Sequence, residues 1–158
     1  MATGLHSGAA EPPKATGLRF ALAVAGWNAE ITHALRDGCL ERLHWADCAS
    51  AEVFEVPGSF ELVYASSRLA QSGHYDAVVA IGSVIQGETR HFEFICQAVA
   101  QGIAHLNTLS DCPVVFCVLT DNTWEQAKDR SGGRLGNKGT EAADAAIEMA
   151  RFGQALIG

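Results

Sequence analysis

The sequence predicts an α/β fold, an open sheet of four main parallel strands with helices on both faces. Three observations predict it. Four short apolar runs, at residues 18–25, 51–56, 76–81 and 113–119, have the length and composition of strands. Each is followed by a stretch with helical periodicity or a helix-start signal. Strands that alternate with helices pair in parallel through right-handed crossovers, which leaves helices on both sides of the sheet.

The elements follow in order. Residues 1–17 are rich in Ala, Gly, Ser and Thr and include Pro12 and Pro13, the composition of a mobile arm. A single domain over residues 18–158 follows. After the first strand, Asn28 can cap a helix that carries Ile31, Leu35 and Leu43. After the second, Pro57 suits the first turn of a helix with Phe60 and Tyr64 behind it. Phe92, Ile95, Cys96, Val99, Ile103 and Leu106 fall on one face of a third helix beginning near His91. Thr123 and Gln126 form a capping-box pattern for a fourth. An Ala-rich helix over residues 139–155 closes the chain. A flavodoxin-like strand order is the expectation, and ligands of such sheets bind outside the carboxyl ends of the strands.

Composition narrows the function. The chain has 158 residues, 48% of them apolar, enough for one ordinary core. Its 18% charged residues and 16 glycines fit either a subunit that hides surface against its own copies or an Ala-rich chain with few lysines. The net charge is −7 and the lysines are Lys14, Lys128 and Lys138, which leaves little for a nucleic-acid or membrane surface. The five cysteines form no Cys-x-x-Cys pair and no zinc-like spacing, so no metal is expected. Free thiols, and the lack of a leader pattern or an 18-residue apolar run, point to the cytoplasm.

Four loops gather at the carboxyl edge. The first, Gly26-Trp27-Asn28, offers a flat ring for stacking and an amide for hydrogen bonding, although a Trp alone is more often a core or interface residue. The second, Val56-Pro57-Gly58-Ser59-Phe60-Glu61, is a tight turn whose amides point outward, or simply a plain turn. The third runs Gly82-Ser83-Val84-Ile85-Gln86-Gly87-Glu88-Thr89-Arg90-His91. Gly87 and Thr89 ahead of a long helix outline an anion site. His91 in the first turn is the side-chain type that moves protons near neutral pH. His6, His33, His44, His74 and His105 read as surface side chains. The fourth loop ends in Arg130, Ser131-Gly132-Gly133-Arg134-Leu135, then Gly136-Asn137-Lys138-Gly139. Arg130 can clamp a phosphate and Lys138 adds a point charge, yet cations near helix ends are also common solvated features. The run is not a Walker loop, because Gly and Lys are in the wrong order.

Taken together, Val56 to Glu61, Gly82 to Thr89 with His91-Phe92, Val118-Leu119-Thr120 and Gly136 to Gly139 resemble the lumazine synthase family. The ordered match spans about residues 18–150. The resemblance implies condensation of 5-amino-6-(D-ribitylamino)uracil with 3,4-dihydroxy-2-butanone 4-phosphate to 6,7-dimethyl-8-ribityllumazine, without cofactor or metal. It implies that Trp27 stacks on the pyrimidine beside Asn28. Ser59, Phe60 and Glu61 hold the ribityl chain and pyrimidine edge, and Ser83, Val84 and Ile85 line the opposite wall. Gly87, Glu88 and Thr89 form the phosphate end, completed by Arg130. His91 handles protons, oriented by Glu88 or assisted by Glu141.

The resemblance also implies self-association into pentamers with sites between neighbours, where Phe116, Arg130 and Lys138 reach across. The short connection before Gly136 favours a closed sixty-subunit shell over a decamer or lone pentamer. Trp27 stands where many members carry Phe, Gln86 where a basic residue is usual and Cys117 where Gly is common. A non-catalytic relative that binds riboflavin or another ribityl compound is the competing reading, and a purely structural shell protein is a third.

Overall fold

The computed structural model describes residues 10–157. Its elements are β1 (Arg19–Ala25), α1 (Ala29–Trp45), β2 (Ser50–Val56), a 3-10 turn (Ser59–Glu61), α2 (Leu62–Gln71), β3 (Ala77–Ile85), α3 (His91–Leu109), β4 (Val114–Asp121), α4 (Trp124–Arg130), β5 (Ser131–Gly133), β6 (Gly136–Asn137) and α5 (Lys138–Ile157). The main sheet has the order β2-β1-β3-β4, and every pairing in it is parallel. This is the flavodoxin-like α/β arrangement expected from the sequence.

Strand alternation divides the interior in two. Successive side chains of a strand point to opposite faces. Phe20, Leu22 and Val24 of β1, with Val79 and Ile81 of β3, therefore join Ile31, Leu35 and Leu43 of α1 and Ala143 and Ile147 of α5 in one core. Ala21, Ala23 and Ala25, with Val78 and Ala80, join Leu62 of α2 and Val99, Ile103 and Leu106 of α3 in the other. Both faces of β1 and β3 are covered, so these strands read as unbroken apolar runs. The edge strand β2 instead exposes Glu52, Val53 and Glu55.

Several local expectations need correction. Strand β3 continues to Ile85 rather than ending at residue 81. Gly82, Ser83, Val84 and Ile85 pair with Val118, Leu119, Thr120 and Asp121 of β4, so the partner strand extends what reads as a loop. Pro57 precedes the helical turn, which starts after Gly58. Asn28 does precede α1, but in the left-handed conformation (φ 59°, ψ 45°) and without a side-chain cap; its amide instead donates to the Ser83 carbonyl at 2.9 Å. Asn tolerates this backbone region better than most residues. The short β5–β6 hairpin, which turns at Arg134 and Leu135 and has Gly132 (φ +113°) and Gly136 (φ +78°) at positive φ, is absent from those expectations.

Half of the expected capping box forms: the Thr123 hydroxyl accepts from the Gln126 amide, but the Gln126 side chain reaches past the N-cap residue and accepts from the Asn122 amide.

The first nine residues of the expected arm lie outside the described residues. Residues 10–17 form no helix or strand, yet they lie against α1 and α5. Pro12 and Ala15 are buried. The Ala15 amide donates to the Ala46 carbonyl, and the Arg151 guanidinium to that of Lys14. Arg42, buried on α1, donates to the Ala10 carbonyl at 2.7 Å and to both oxygens of Asp144 at 2.7 and 2.8 Å. No helix among the described residues is long and apolar enough to cross a membrane.

Candidate functional site

A cavity of about 140 Å³ opens at the carboxyl edge of the sheet. It is lined by Trp27 and Asn28 after β1, Ser59 and Phe60 after β2, Ser83, Val84 and Ile85 at the end of β3, and His91 and Ile95 on α3.

Local backbone contacts hold this assembly. The Gly26 amide donates to the Val56 carbonyl at 2.8 Å and the Trp27 amide to that of Pro57 at 3.0 Å, so the β1–β2 ladder runs on into the two loops. The indole lies directly on Gly58, where an added Cβ would come within 2.5 Å of the ring. Gly82 plays the same part for Ser59, whose hydroxyl would lie 2.5 Å from a Cβ there. Glu61 turns back to accept the Gly58 amide at 3.0 Å, which secures the turn. Trp27 and Phe60 are 66% and 57% exposed, two large rings at the mouth. The Ser83 hydroxyl is buried without a hydrogen-bond partner, on the sheet face it shares with Leu119.

The cations gather elsewhere. A second cavity, about 380 Å³, lies at the end of the edge strand β4 and is lined by Phe116, Val118, Leu119, Thr120, Asp121, Asn122, Gln126, Arg130 and Lys138. Arg130 is aimed by its donation to the Gln126 carbonyl at 3.0 Å, one turn back on α4, and its Nε lies 3.7 Å from Asp121. Burial pushes the Asp121 carboxyl up from the usual carboxylate range, and Arg130 opposes this only in part. Lys138 Nζ holds both Glu141 oxygens at 2.9 Å.

Around Lys138, the motif Gly136-Asn137-Lys138-Gly139 works as a joint. The Asn137 side chain donates to the Ala34 carbonyl at 3.0 Å and accepts the Gly139 amide at 2.8 Å. A Cβ on Gly139 would run into the Leu35 carbonyl, with the carbonyl carbon only 2.7 Å away. A Cβ on Gly38 would meet the Asn137 amide at 2.5 Å. Helices α1 and α5 thus approach backbone to backbone, and Lys138 is delivered to the cavity by that docking. Cys117 donates its thiol to the Lys138 carbonyl; burial, with the charge of Glu141, pushes that thiol up to about 12. It is a packing group.

Eight residues singled out from sequence therefore meet in the first cavity: Trp27, Asn28, Ser59, Phe60, Ser83, Val84, Ile85 and His91. Phe116, Arg130 and Lys138 meet in the second. Glu61, Gly87, Glu88, Thr89 and Glu141 line neither. Gly87, Glu88 and Thr89 are exposed, and the Thr89 hydroxyl accepts from the His91 amide at 3.4 Å, at the start of α3. Glu141 pairs with Lys138 rather than with His91, which lines the other cavity. The sequence reading missed Ile95, Thr120, Asp121, Asn122 and Gln126. Ile95 was recoverable, since it lies one helical turn after His91 and shares its face. Thr120 and Asp121 follow from β4 running farther than its apolar run, and Asn122 and Gln126 from the packing of the loop and α4 beyond it.

Comparison with known proteins agrees with this geometry. The family model for 6,7-dimethyl-8-ribityllumazine synthase matches residues 17–154. Relatives that carry this enzyme's name include one from Flavobacterium johnsoniae, 51% identical over 144 residues, covering 90% of this chain and 76% of the relative. One from Christiangramia forsetii is 51% identical over 145 residues, 89% of this chain and 85% of the relative. One from Bacteroides fragilis is 46% identical over 137 residues, 85% of this chain and 96% of the relative. The chain belongs to the 6,7-dimethyl-8-ribityllumazine synthase family.

Proposed function

We propose that the protein condenses 5-amino-6-(D-ribitylamino)uracil with 3,4-dihydroxy-2-butanone 4-phosphate to 6,7-dimethyl-8-ribityllumazine, releasing phosphate and water, as a transferase of riboflavin biosynthesis. The observation that carries this reading is the first cavity. It joins the ends of three strands under two exposed rings, with a histidine at the start of α3.

In this reading Trp27 stacks on the pyrimidine beside Asn28, whose carboxamide is fixed by the Ser83 carbonyl. Ser59 and Phe60 border the ribityl chain, and Ser83, Val84 and Ile85 form the facing wall. Glu61 acts through the turn it closes. The substrate amine is the nucleophile, so no activated Ser or Cys and no cofactor is invoked. His91 moves protons as the amine adds to the ketone and as phosphate departs. Positioned acid–base groups contribute about 10²–10⁴-fold, and holding both substrates together supplies much of the rest.

Phosphate binding draws on Gly87, Glu88 and Thr89 and on Arg130, with Lys138 and Phe116 near it. In one chain Arg130 and His91 line separate cavities. We therefore read the site as completed between neighbours in a pentamer, with Arg130, Lys138 and Phe116 of one subunit approaching the loop before α3 of the next. A shell of twelve pentamers follows from the short hairpin before Gly136. The five free cysteines suit a reducing cytoplasm.

The purified protein is mixed with both substrates, and lumazine fluorescence is followed alongside the native mass. Product formation, slowed at least several-fold by His91→Ala, is expected. An intact fold that yields no product refutes catalysis, and flavin quenching without turnover indicates a binding protein instead. A monomeric mass for an active enzyme refutes the shared site.

A further inference from the structure

Asp121 is the last residue of β4 and lies in the second cavity with Arg130 and Lys138. It is only 6% exposed, and its Oδ2 is buried with no hydrogen-bond partner. A buried carboxylate oxygen left unpaired is a cost to the fold, and a purely structural acid would be expected to be satisfied. Nor does Asp121 act as a strut for Arg130. The Nε–Oδ1 separation of 3.7 Å is too long for a hydrogen bond, while Arg130 already takes its direction from the Gln126 carbonyl. What remains is the charge itself, held inside the wall of a cavity beside a guanidinium. The second cation is similarly balanced, because Lys138 holds Glu141. Two cations face this cavity, each with a carboxylate of its own.

We propose that Asp121 is a positioning residue of the anion site, a built-in counter-charge that acts through Arg130 to limit how tightly the cavity holds phosphate. This rests on the reading that Arg130 receives the phosphate end of the butanone substrate. Without Asp121, the guanidinium would present its full charge and the arriving anion would meet no repulsion from the wall.

The test uses the full-length protein carrying Asp121→Asn, which keeps the shape and removes the charge, and Asp121→Ser as a second variant. Inorganic phosphate is titrated calorimetrically and as an inhibitor competing with the butanone phosphate. In both variants phosphate should bind about tenfold more tightly, the effect of one unit charge a few ångströms away in a partly screened site. The KM for the butanone phosphate should fall in parallel, with the KM for the pyrimidine and the pentamer mass unchanged. Unchanged or weaker phosphate binding in the two variants overturns the proposal, as does tightening in Asp121→Asn alone, which would reflect an added amide donor. Arg130→Ala separates the two layers. If it leaves phosphate binding and the KM for the butanone phosphate unchanged, the anion-site reading itself fails, whatever Asp121 does.

Discussion

Replacing Gly139 by Ala tests whether the approach of α5 to α1 is as tight as its backbone contacts imply. The added methyl group would overlap the Leu35 carbonyl, lie 2.7 Å from its carbon and crowd Asn137 Oδ1 at 2.9 Å. Two of those three atoms are backbone of α1, so no rotamer change relieves the clash and the helices must separate. Overpacking of this kind costs about 1–3 kcal/mol, and the backbone contact places Gly139→Ala near the upper end. A gain in helix propensity of a few tenths at the first turn offsets little of it. For a chain of this size each kcal/mol shifts the melting midpoint by roughly 2–4 °C, so a drop of about 5–10 °C is expected by calorimetry. Gly87→Ala is the control, because a Cβ there meets nothing within 4 Å and the variant should melt like the parent. Since Lys138 is the preceding residue, the KM for the butanone phosphate should also rise in Gly139→Ala. A midpoint indistinguishable from the parent would refute the packing argument.

Asp144→Asn breaks a charge pair with a buried arginine and should cost about 1–3 kcal/mol in denaturant unfolding, discounted because Asp144 is partly exposed. Proteolytic cleavage within residues 10–17 should quicken as well, since Arg42 also holds the Ala10 carbonyl. Burial raises the Asp121 carboxyl, so its charged form is disfavoured in the fold. That group's contribution to stability is fully present below the unfolded value of about 3.9 and is lost as pH rises through the folded value. Unfolding measured from pH 4 to 8 should therefore show Asp121→Asn gaining on the parent as pH rises, and a constant difference would refute it. Iodoacetamide at pH 8 should label the native protein at no more than Cys48 and Cys96. Cys39, Cys112 and Cys117 are buried and their thiols are pushed up, that of Cys112 to about 11; modification of any of the three before unfolding, read by mass spectrometry, would contradict this.

What the sequence made legible follows from which contacts are local. Four apolar runs alternating with helical stretches, the third marked by the helical spacing after His91, were enough for the layers and for the expected flavodoxin-like strand order. The cavity at the carboxyl edge followed from the topology. The end of β3 was not legible, because Gly82 reads as a loop residue until the partner is known. Its missing side chain in fact admits Ser59 and Leu62 while the strand continues along β4. Asn28 failed as a cap for a similar reason: its amide prefers the Ser83 carbonyl, 55 residues away. Asp121 was missed because an acid after an apolar run looks like a solvated strand end, and only the packing of α4 over it shows that it is buried.

The short motifs divide in a way that sharpens what they are for. In Gly136-Asn137-Lys138-Gly139, only Lys138 lines a cavity. Asn137 and Gly139 fasten α5 to α1, and Gly136 follows the hairpin turn at a positive φ that a side chain would resist. In Val56-Pro57-Gly58-Ser59-Phe60-Glu61, Ser59 and Phe60 face the first cavity, Gly58 seats the indole and Glu61 ties the turn to the Gly58 amide. A motif residue can thus be fixed by the chemistry it touches or by the backbone it lets approach. The two kinds predict different losses: substitutions of the first kind should change binding or turnover with the fold intact. Those of the second should lower stability first and disturb the cavities through displaced neighbours. On that division Glu61 is held with Gly58 and Asn137 by backbone contacts, while Phe60, His91 and Arg130 line the cavities.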